Sequence, residues 1–200
     1  FTMAKTANDQ LNSARKHLGM GEPNFVQKWY RARNGAAYSG NFPWCDAYVT
    51  WCAADSGNHD VVCPAGDRAY TVYHAQDFQR RGLWHSGTVE NLRKSLPGDI
   101  VFFDWGGSNS VGNIDHVGIV ESVDAAGVHT IEGNIENACR RKLRFENFIA
   151  GYGRPDYAVV TPPINPAPPS TPLPPALPVV DLSVVVAAAT GAVPPGSADD

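Results

Sequence analysis

One cysteine of this chain stands where a helix is expected to begin, and that position favours nucleophilic chemistry. Cys45 follows Pro43, and apolar residues recur at helical spacing over residues 45–55 before Gly57 supplies a stop signal. Unpaired backbone amides and the positive end of the helix dipole stabilise a thiolate at such a position. We therefore predict that Cys45 is an ionised nucleophile. The alternative is a small buried hydrophobic side chain.

Two strand-like segments farther along the chain carry the groups that such a nucleophile needs. Residues 114–123 and 128–135 alternate as strands do and are joined by a turn signal, so they predict a β-hairpin that carries His116, Glu132 and Asn134. Cysteine, imidazole and an orienting carboxylate or amide form the set used for acyl transfer. The hairpin and the cysteine helix together therefore predict a cysteine-dependent hydrolase.

The register of the hairpin decides which polar side chain orients the imidazole. A three-residue loop that pairs Asp124 with Val128 puts Asn134 diagonal to His116 on one face of the sheet. Glu132 then lies too far along its strand unless a bulge shortens the path. We predict that Asn134 orients the ring.

Five segments occur in the order seen in CHAP domains, the cysteine, histidine-dependent amidohydrolases/peptidases. They are WCDAYVTW, PGDIVFFDW (97–105), DHVGIV, IEGN and FIAGYGRPDY (148–157), and the resemblance covers about residues 5–157. It implies an α+β, papain-like fold with N-terminal helices packed on a small antiparallel sheet. It also implies Cys45 as nucleophile, His116 as base, and Glu132 and Asn134 as the polar pair. Most members of the family cut peptidoglycan.

The resemblance also frames the surroundings of the cysteine. Asp46 departs from the small residues common in the family, and a carboxylate beside a thiolate opposes its ionisation unless the helix turns it away. The backbone amide of Cys45 is the expected first oxyanion donor. Trp44, Trp105 and the glycine-rich loop 106–112 are expected to bind substrate at the rim of the groove; the alternative for Trp44 is core packing.

Composition divides the chain near residue 160. Nine of the eighteen residues from Thr161 to Pro178 are proline, which is typical of an extended linker and excludes a packed core. We predict a catalytic domain over 1–160, a linker over 161–178, and over 179–200 the start of a truncated wall-binding region or a disordered tail. The apolar run in 179–200 is too short to span a membrane.

Charge excludes some partners. The net charge is −4, with all sixteen Lys and Arg before residue 160, and this balance is not that of a general nucleic-acid-binding protein. The local cluster Arg140, Arg141, Lys142 and Arg144 is expected either to meet anionic wall material or to be a solvated strand face. We expect a monomer that acts on bacterial peptidoglycan.

The remaining cysteines and histidines give weaker signals. With Cys45 reserved, Cys52 is expected to be buried and inert, and a bridge between Cys63 and Cys139 stays open. No metal-ligand spacing occurs, so no metal and no cofactor are expected. The first residues show no apolar signal region, which predicts synthesis in a host cytoplasm and action on the wall, as in phage endolysins.

Two other classes of function compete with a wall hydrolase. One is a non-wall amidase of the same fold, of the glutathionylspermidine type, and the other is an inactive wall-binding or virion-structural module. The sequence also leaves open which bond is cut, because an N-acetylmuramoyl-L-alanine amidase and a stem or cross-bridge endopeptidase share this chemistry.

Overall fold

The computed structural model describes residues 5–159. The predicted linker over 161–178 and the predicted region 179–200 lie outside the described residues. Among the described residues, no helix is both long enough and apolar enough to span a bilayer.

Within residues 5–159, six α-helices precede or interrupt the sheet. Local sequence explains their ends: Thr6 caps the first helix in a capping box with Asp9, Asn24 caps the second in the same way with Gln27, and Gly57 ends the third in a left-handed conformation. The helices are α1 (Ala7–Arg15), α2 (Phe25–Asn34), α3 (Cys45–Ser56), α4 (His59–Val62), α5 (Thr71–Arg80) and α6 (Val89–Leu92).

Six strands form one antiparallel sheet in the order β1-β6-β2-β3-β4-β5. Their bounds are β1 (Trp84–Ser86), β2 (Ile100–Phe103), β3 (His116–Asp124), β4 (Gly127–Ile135), β5 (Ala138–Arg144) and β6 (Ile149–Gly153). Helices α1 and α3 pack on β3, and α3 also packs on β4. This arrangement of helices on an antiparallel sheet confirms the predicted α+β class.

Helix α3 is buried on nearly every side, because it lies between the other helices and the sheet. Its close approach to β4 depends on Gly133, where a Cβ atom would lie 2.8 Å from Tyr48 Cβ and 2.9 Å from the Trp44 ring. Such distances exclude any side chain at this position. The N-terminus of α3 is thereby held against the sheet.

The predicted register of the β3–β4 hairpin is wrong. Asp124 pairs with Gly127 rather than Val128, so only two residues form the loop. The pairing then shifts by one residue between Val120 and Ser122, a bulge at Glu121. The bulge restores the alternation that the short loop would have reversed, so His116, Glu132 and Thr130 share a face.

Candidate active site

Cys45 is the first residue of α3 and lines a groove of about 610 Å³. Its side chain is only 5 % exposed. Burial, and to a smaller extent the nearby Asp46 carboxylate, raise the pKa of the thiol to about 12, although the backbone amides of Asp46, Cys45 and Val117 act in the opposite direction. The prediction of a resting thiolate is therefore wrong: burial outweighs the helix N-terminus, and the sulfur rests as a thiol.

His116 is the first residue of β3 and follows the groove residue Asp115. Helix α3 packs on β3, so the thiol and the imidazole stand at the first residues of two adjoining elements. Within the described part of the chain, the sulfur and the ring make no hydrogen bond with each other. Catalytic hydrogen bonds often form only when substrate is bound, so this geometry is compatible with proton transfer.

A carboxylate holds the ring of His116 from the side. The Nε2 atom lies 2.9 Å from Oε2 of the fully buried Glu132. Because an ionised carboxylate only accepts hydrogen bonds, Nε2 carries a proton and donates it. The other ring nitrogen, Nδ1, remains available to take a proton from a thiol.

Arg144 completes the support of Glu132 from strand β5. Its Nε donates to Oε1 at 2.8 Å and its Nη2 to Oε2 at 2.6 Å, while the Thr130 hydroxyl donates to Oε1. Burial raises the pKa of Glu132, but the bonds from Arg144 and His116 outweigh it and bring the pKa to about 2. Glu132 is thus a fixed anion at neutral pH. The sequence placed Arg144 only in a basic cluster, and nothing in the local pattern links it to Glu132.

The path from Glu132 to His116 crosses Gly118. Continuing the register of the hairpin places Gly118 opposite Glu132, and a Cβ atom at Gly118 would lie 2.6 Å from Glu132 Cγ. The missing side chain therefore leaves room for the carboxylate to reach diagonally along β3 to His116. Sequence reasoning singled out the strand motif that contains Gly118 but missed this role.

Asn134 does not orient the ring. Glu132 occupies the Nε2 position, and the Asn134 side chain forms no hydrogen bond within residues 5–159. Its backbone has φ +61°, where β4 leaves its regular pairing with β5. Asparagine adopts this left-handed conformation more readily than most residues, which accounts for the residue type here.

The two predicted substrate-binding tryptophans differ in position. Trp44 is fully buried, packs edge to face on Tyr48 and donates from Nε1 to Glu22 at 3.1 Å, so it is core packing and the prediction of substrate contact is wrong. Trp105 is 39 % exposed and stacks on His116 with ring centroids 5.7 Å apart. The guanidinium of Arg144 lies 4.9 Å from the centre of the Trp105 ring. Trp105 therefore covers the His116–Glu132–Arg144 cluster.

The groove beside Cys45 is aromatic and polar, with one carboxylate. Asp115 is its only charged lining residue, and an Asp115 oxygen accepts from the backbone amide of Trp105 at 3.0 Å. The glycine-rich loop contributes Gly112 to the groove. The lining consists of Ala37, Tyr38, Phe42, Pro43, Cys45, Ala69, Tyr70, Thr71 and 112–115.

Asp46 is turned away from the sulfur and toward α5. It is fully buried, and its Oδ1 lies 2.6 Å from Nδ1 of His74. No local pattern links Asp46 to His74, because the contact joins two helices that are distant in sequence. The neighbour of the nucleophile is thus one half of a buried ion pair.

The basic cluster on β5 is largely paired with acids. Arg141 binds Glu121 at 2.7 Å, Arg140 lies 3.2 Å from Glu136, and Arg144 binds Glu132. The cluster is therefore not an open cationic surface, which argues against its expected contact with anionic wall material.

All four cysteines are free and buried. The Cys63 thiol donates to Thr50 and the Cys139 thiol to Tyr48, so the bridge that the sequence left open does not form. Cys52 is fully buried, as predicted. In the part of the chain that the structure describes, no three His, Cys, Asp or Glu side chains are grouped so that they could hold a metal ion.

Comparison with known families gives one match. Residues 37–134 match the CHAP domain family, and this range runs from the edge of the groove through Cys45, His116 and Glu132 to Asn134. Neither the curated proteins nor the solved structures searched contain a match to the chain.

Proposed function

Because residues 37–134 are a CHAP domain, the domain of cysteine- and histidine-dependent amidohydrolases and peptidases, we propose that this protein hydrolyses an amide bond of bacterial peptidoglycan. The observation that carries the proposal is the bond between His116 and Glu132 beside a groove that contains Cys45. A buried carboxylate fixed by Arg144 serves to orient an imidazole and to stabilise its charged form.

The proposed reaction starts with a proton transfer. Nδ1 of His116 takes the proton of the Cys45 thiol as the sulfur attacks the amide carbonyl, because the resting thiol is not ionised. The backbone amide of Cys45 donates to the oxyanion that forms on the carbonyl oxygen. Glu132 stabilises the imidazolium meanwhile.

The tetrahedral intermediate then breaks down. The imidazolium gives its proton to the leaving nitrogen, the carbon–nitrogen bond breaks, and an amine leaves while the acyl group stays on sulfur as a thioester. A water molecule, deprotonated by the imidazole, attacks the thioester. This step releases a carboxylic acid and returns the proton to the sulfur.

The shape of the groove supports a peptide as substrate. It combines aromatic side chains, including Tyr38 and Tyr70, with one carboxylate, Asp115, and no basic side chain lines it. An extended peptide can pack on the rings and place an amide over Cys45. The choice between a muramoyl-alanine amidase and a stem or cross-bridge endopeptidase depends on which peptide amide reaches the sulfur.

Digestion of purified peptidoglycan followed by mass spectrometry tests this function. We expect new amino groups on stem or cross-bridge residues and no new reducing sugar ends. Cys45→Ser should abolish the products, whereas Cys52→Ser, a change to a buried cysteine of the same helix, should preserve them. Iodoacetamide should inactivate the protein and EDTA should not. Products that persist in Cys45→Ser, or that vanish only with EDTA, would contradict the mechanism.

We also propose a narrower origin, that the protein is a phage endolysin made in a host cytoplasm. The support for this is the match of residues 37–134 to the CHAP domain, a domain that also occurs in phage endolysins. Expression inside a bacterium should then leave the cells intact until a membrane-permeabilising factor is supplied. Lysis without that factor would contradict it.

A further inference from the structure

The interior beside the nucleophile contains a charged pair for which the proposed reaction has no use. Asp46 and His74 are both fully buried, on α3 and α5. Isolated charges are rarely buried, because removing them from water costs several kcal/mol per ion. A pair kept next to a catalytic cysteine therefore calls for an explanation.

The hydrogen bonds around His74 fit an imidazolium beside an ionised Asp46. Its Nδ1 faces Oδ1 of Asp46 at 2.6 Å, and its Nε2 faces the backbone carbonyl oxygen of Val62 at 2.7 Å. A carbonyl oxygen only accepts, so Nε2 must carry a proton, and an ionised Asp46 requires a proton on Nδ1 as well. Both nitrogens are then protonated and the ring is an imidazolium. Burial lowers the pKa of His74, but Asp46 outweighs it and the pKa lies well above its usual value.

Asp46 depends on this one cation. Its second oxygen, Oδ2, is buried and finds no hydrogen-bond partner among the residues described. The guanidinium of Arg68, which interacts with the Asp46 charge, donates at 2.6 Å to Asp77, and Asp77 also pairs with Arg80. Without His74, the carboxylate would be a largely uncompensated negative charge one residue from the sulfur.

Among the other groups around the pair, Arg68 is positively charged, but its guanidinium is bonded to Asp77 and not to Asp46. On α2, burial and, to a smaller extent, the Asp46 charge raise the pKa of Tyr30. Cys63, at the end of α4, interacts with His74. The His74 ring also stacks on Phe78 of α5 and meets Phe102 of β2 edge to face. The groups that face the pair are therefore Cys45, Tyr30, Cys63, Arg68 and the two phenyl rings.

We propose that His74 is a positioning residue for the nucleophile: its imidazolium cancels the Asp46 charge beside Cys45 and ties the start of α3 to α5 and α4. This inference rests on the proposed role of Cys45 and deepens it. A thiolate that forms during attack meets a neutral pair instead of a bare carboxylate. His74 does not itself line the groove, and its ring bonds to Asp46 and to the carbonyl of Val62, so it acts through Asp46.

The rate of alkylation of Cys45 by iodoacetamide tests the proposal without relying on wall hydrolysis. The rate is measured between pH 7 and 10 by mass spectrometry of the peptide that contains Cys45, so the other three cysteines do not interfere. His74→Gln leaves Asp46 uncompensated and should displace the curve to higher pH by about one unit. A tenfold smaller thiolate fraction, partly offset by the greater reactivity of a more basic thiolate, makes alkylation about threefold slower at a given pH.

The matched variant is Asp46→Asn, which breaks the same ion pair from the other side. It removes the opposing charge, so alkylation should be at least as fast as in the wild type. The double variant Asp46→Asn/His74→Gln should return to this rate. Both single variants should melt at lower temperature, since each breaks a buried pair.

The two single variants separate charge compensation from a merely structural role. Loss of structure alone would change the alkylation rate in the same direction in both. Slower alkylation in both, or a wild-type curve in His74→Gln, would overturn the proposal. If His74→Gln does not fold, the alkylation rate of Cys45 in Asp46→Asn decides. A rate below that of the wild type overturns the proposal, and a rate at or above it supports the proposal. Failure of the wall-hydrolysis proposal would show instead in the peptidoglycan digest.

Discussion

Replacement of Gly118 by alanine tests the geometry of the site most directly. The added Cβ would lie 2.6 Å from Glu132 Cγ and 3.3 Å from the carbonyl oxygen of Ile131. An ordinary carbon–carbon contact is about 3.5–4.0 Å, so the Glu132 side chain must move by about 1 Å. The bond of 2.9 Å between Glu132 and His116 cannot survive that displacement with good geometry.

The size of the effect follows from this displacement. Misplacement of a positioned catalytic group by about 1 Å costs on the order of a hundredfold in rate, so Gly118→Ala should retain about 1–10 % of the wild-type activity. Overpacking costs about 1–3 kcal/mol, and for a domain of this size each kcal/mol lowers Tm by about 2–4 °C. Activity is measured as the initial rate of clearing of a peptidoglycan suspension, and Tm by circular dichroism at the same pH.

Two controls separate the clash from a general effect of the substitution. Gly21→Ala adds a Cβ whose nearest neighbour is 3.8 Å away, and it should change neither activity nor Tm. In a Glu132→Ala background, which lacks Cγ, Gly118→Ala should cost almost no further activity, because both changes act through one contact. A Gly118→Ala protein with wild-type activity, or an equal additional loss in the Glu132→Ala background, would refute the reasoning.

Three further outcomes are expected. Asn134→Gly, which suits the left-handed backbone at this position, should retain most of the activity. Glu132→Gln should lower the clearing rate about a hundredfold. The reverse order of the two clearing rates would show that Asn134 orients the ring. Because the pKa of Glu132 falls from 4.5 to about 2 on folding, its ionisation should stabilise the wild type by about 3 kcal/mol above pH 5, and this stability should be lost as the pH falls through 4.5 to 2. Urea unfolding at several pH values should show a flatter dependence for Glu132→Gln, and parallel curves would contradict this. Deletion of residues 161–200 should leave Tm unchanged. The chain is cut after Val160 because the amide of Ala158 bonds to the carbonyl of Lys5 and should be kept. A drop in Tm of several degrees would show that the tail stabilises the domain.

Features set by local sequence could be predicted. The start of α3 at Cys45 follows from Pro43, two residues before it, and from the helical spacing of apolar residues after it. The end of α3 follows from Gly57. The β3–β4 hairpin follows from strand alternation on both sides of a turn signal. These signals also put Cys45 at the first residue of its helix and His116 in the first strand of the hairpin, although that strand begins at His116 and not at residue 114.

Features set by tertiary contacts could not be predicted. The two-residue loop and the bulge at Glu121 together displace the pairing by two residues, so Gly118 faces Glu132 instead of Asn134, and Glu132 takes the diagonal position predicted for Asn134. Arg144 reaches Glu132 only because β5 lies beside β4 in the sheet. The ionisation state of Cys45 depended on how deeply it is buried, and the helix pattern does not contain that information.

The burial of Cys45 also affects how the protein withstands oxidants. Peroxide attacks cysteine through the thiolate, and susceptibility increases with exposure of the sulfur. A thiol that is 5 % exposed, with its pKa raised to about 12, therefore reacts slowly with peroxide. Since the other three cysteines are buried as well, the described domain has no readily oxidised thiol. The arrangement that delays ionisation until proton transfer to His116 thus also preserves the sulfur in an oxidising medium.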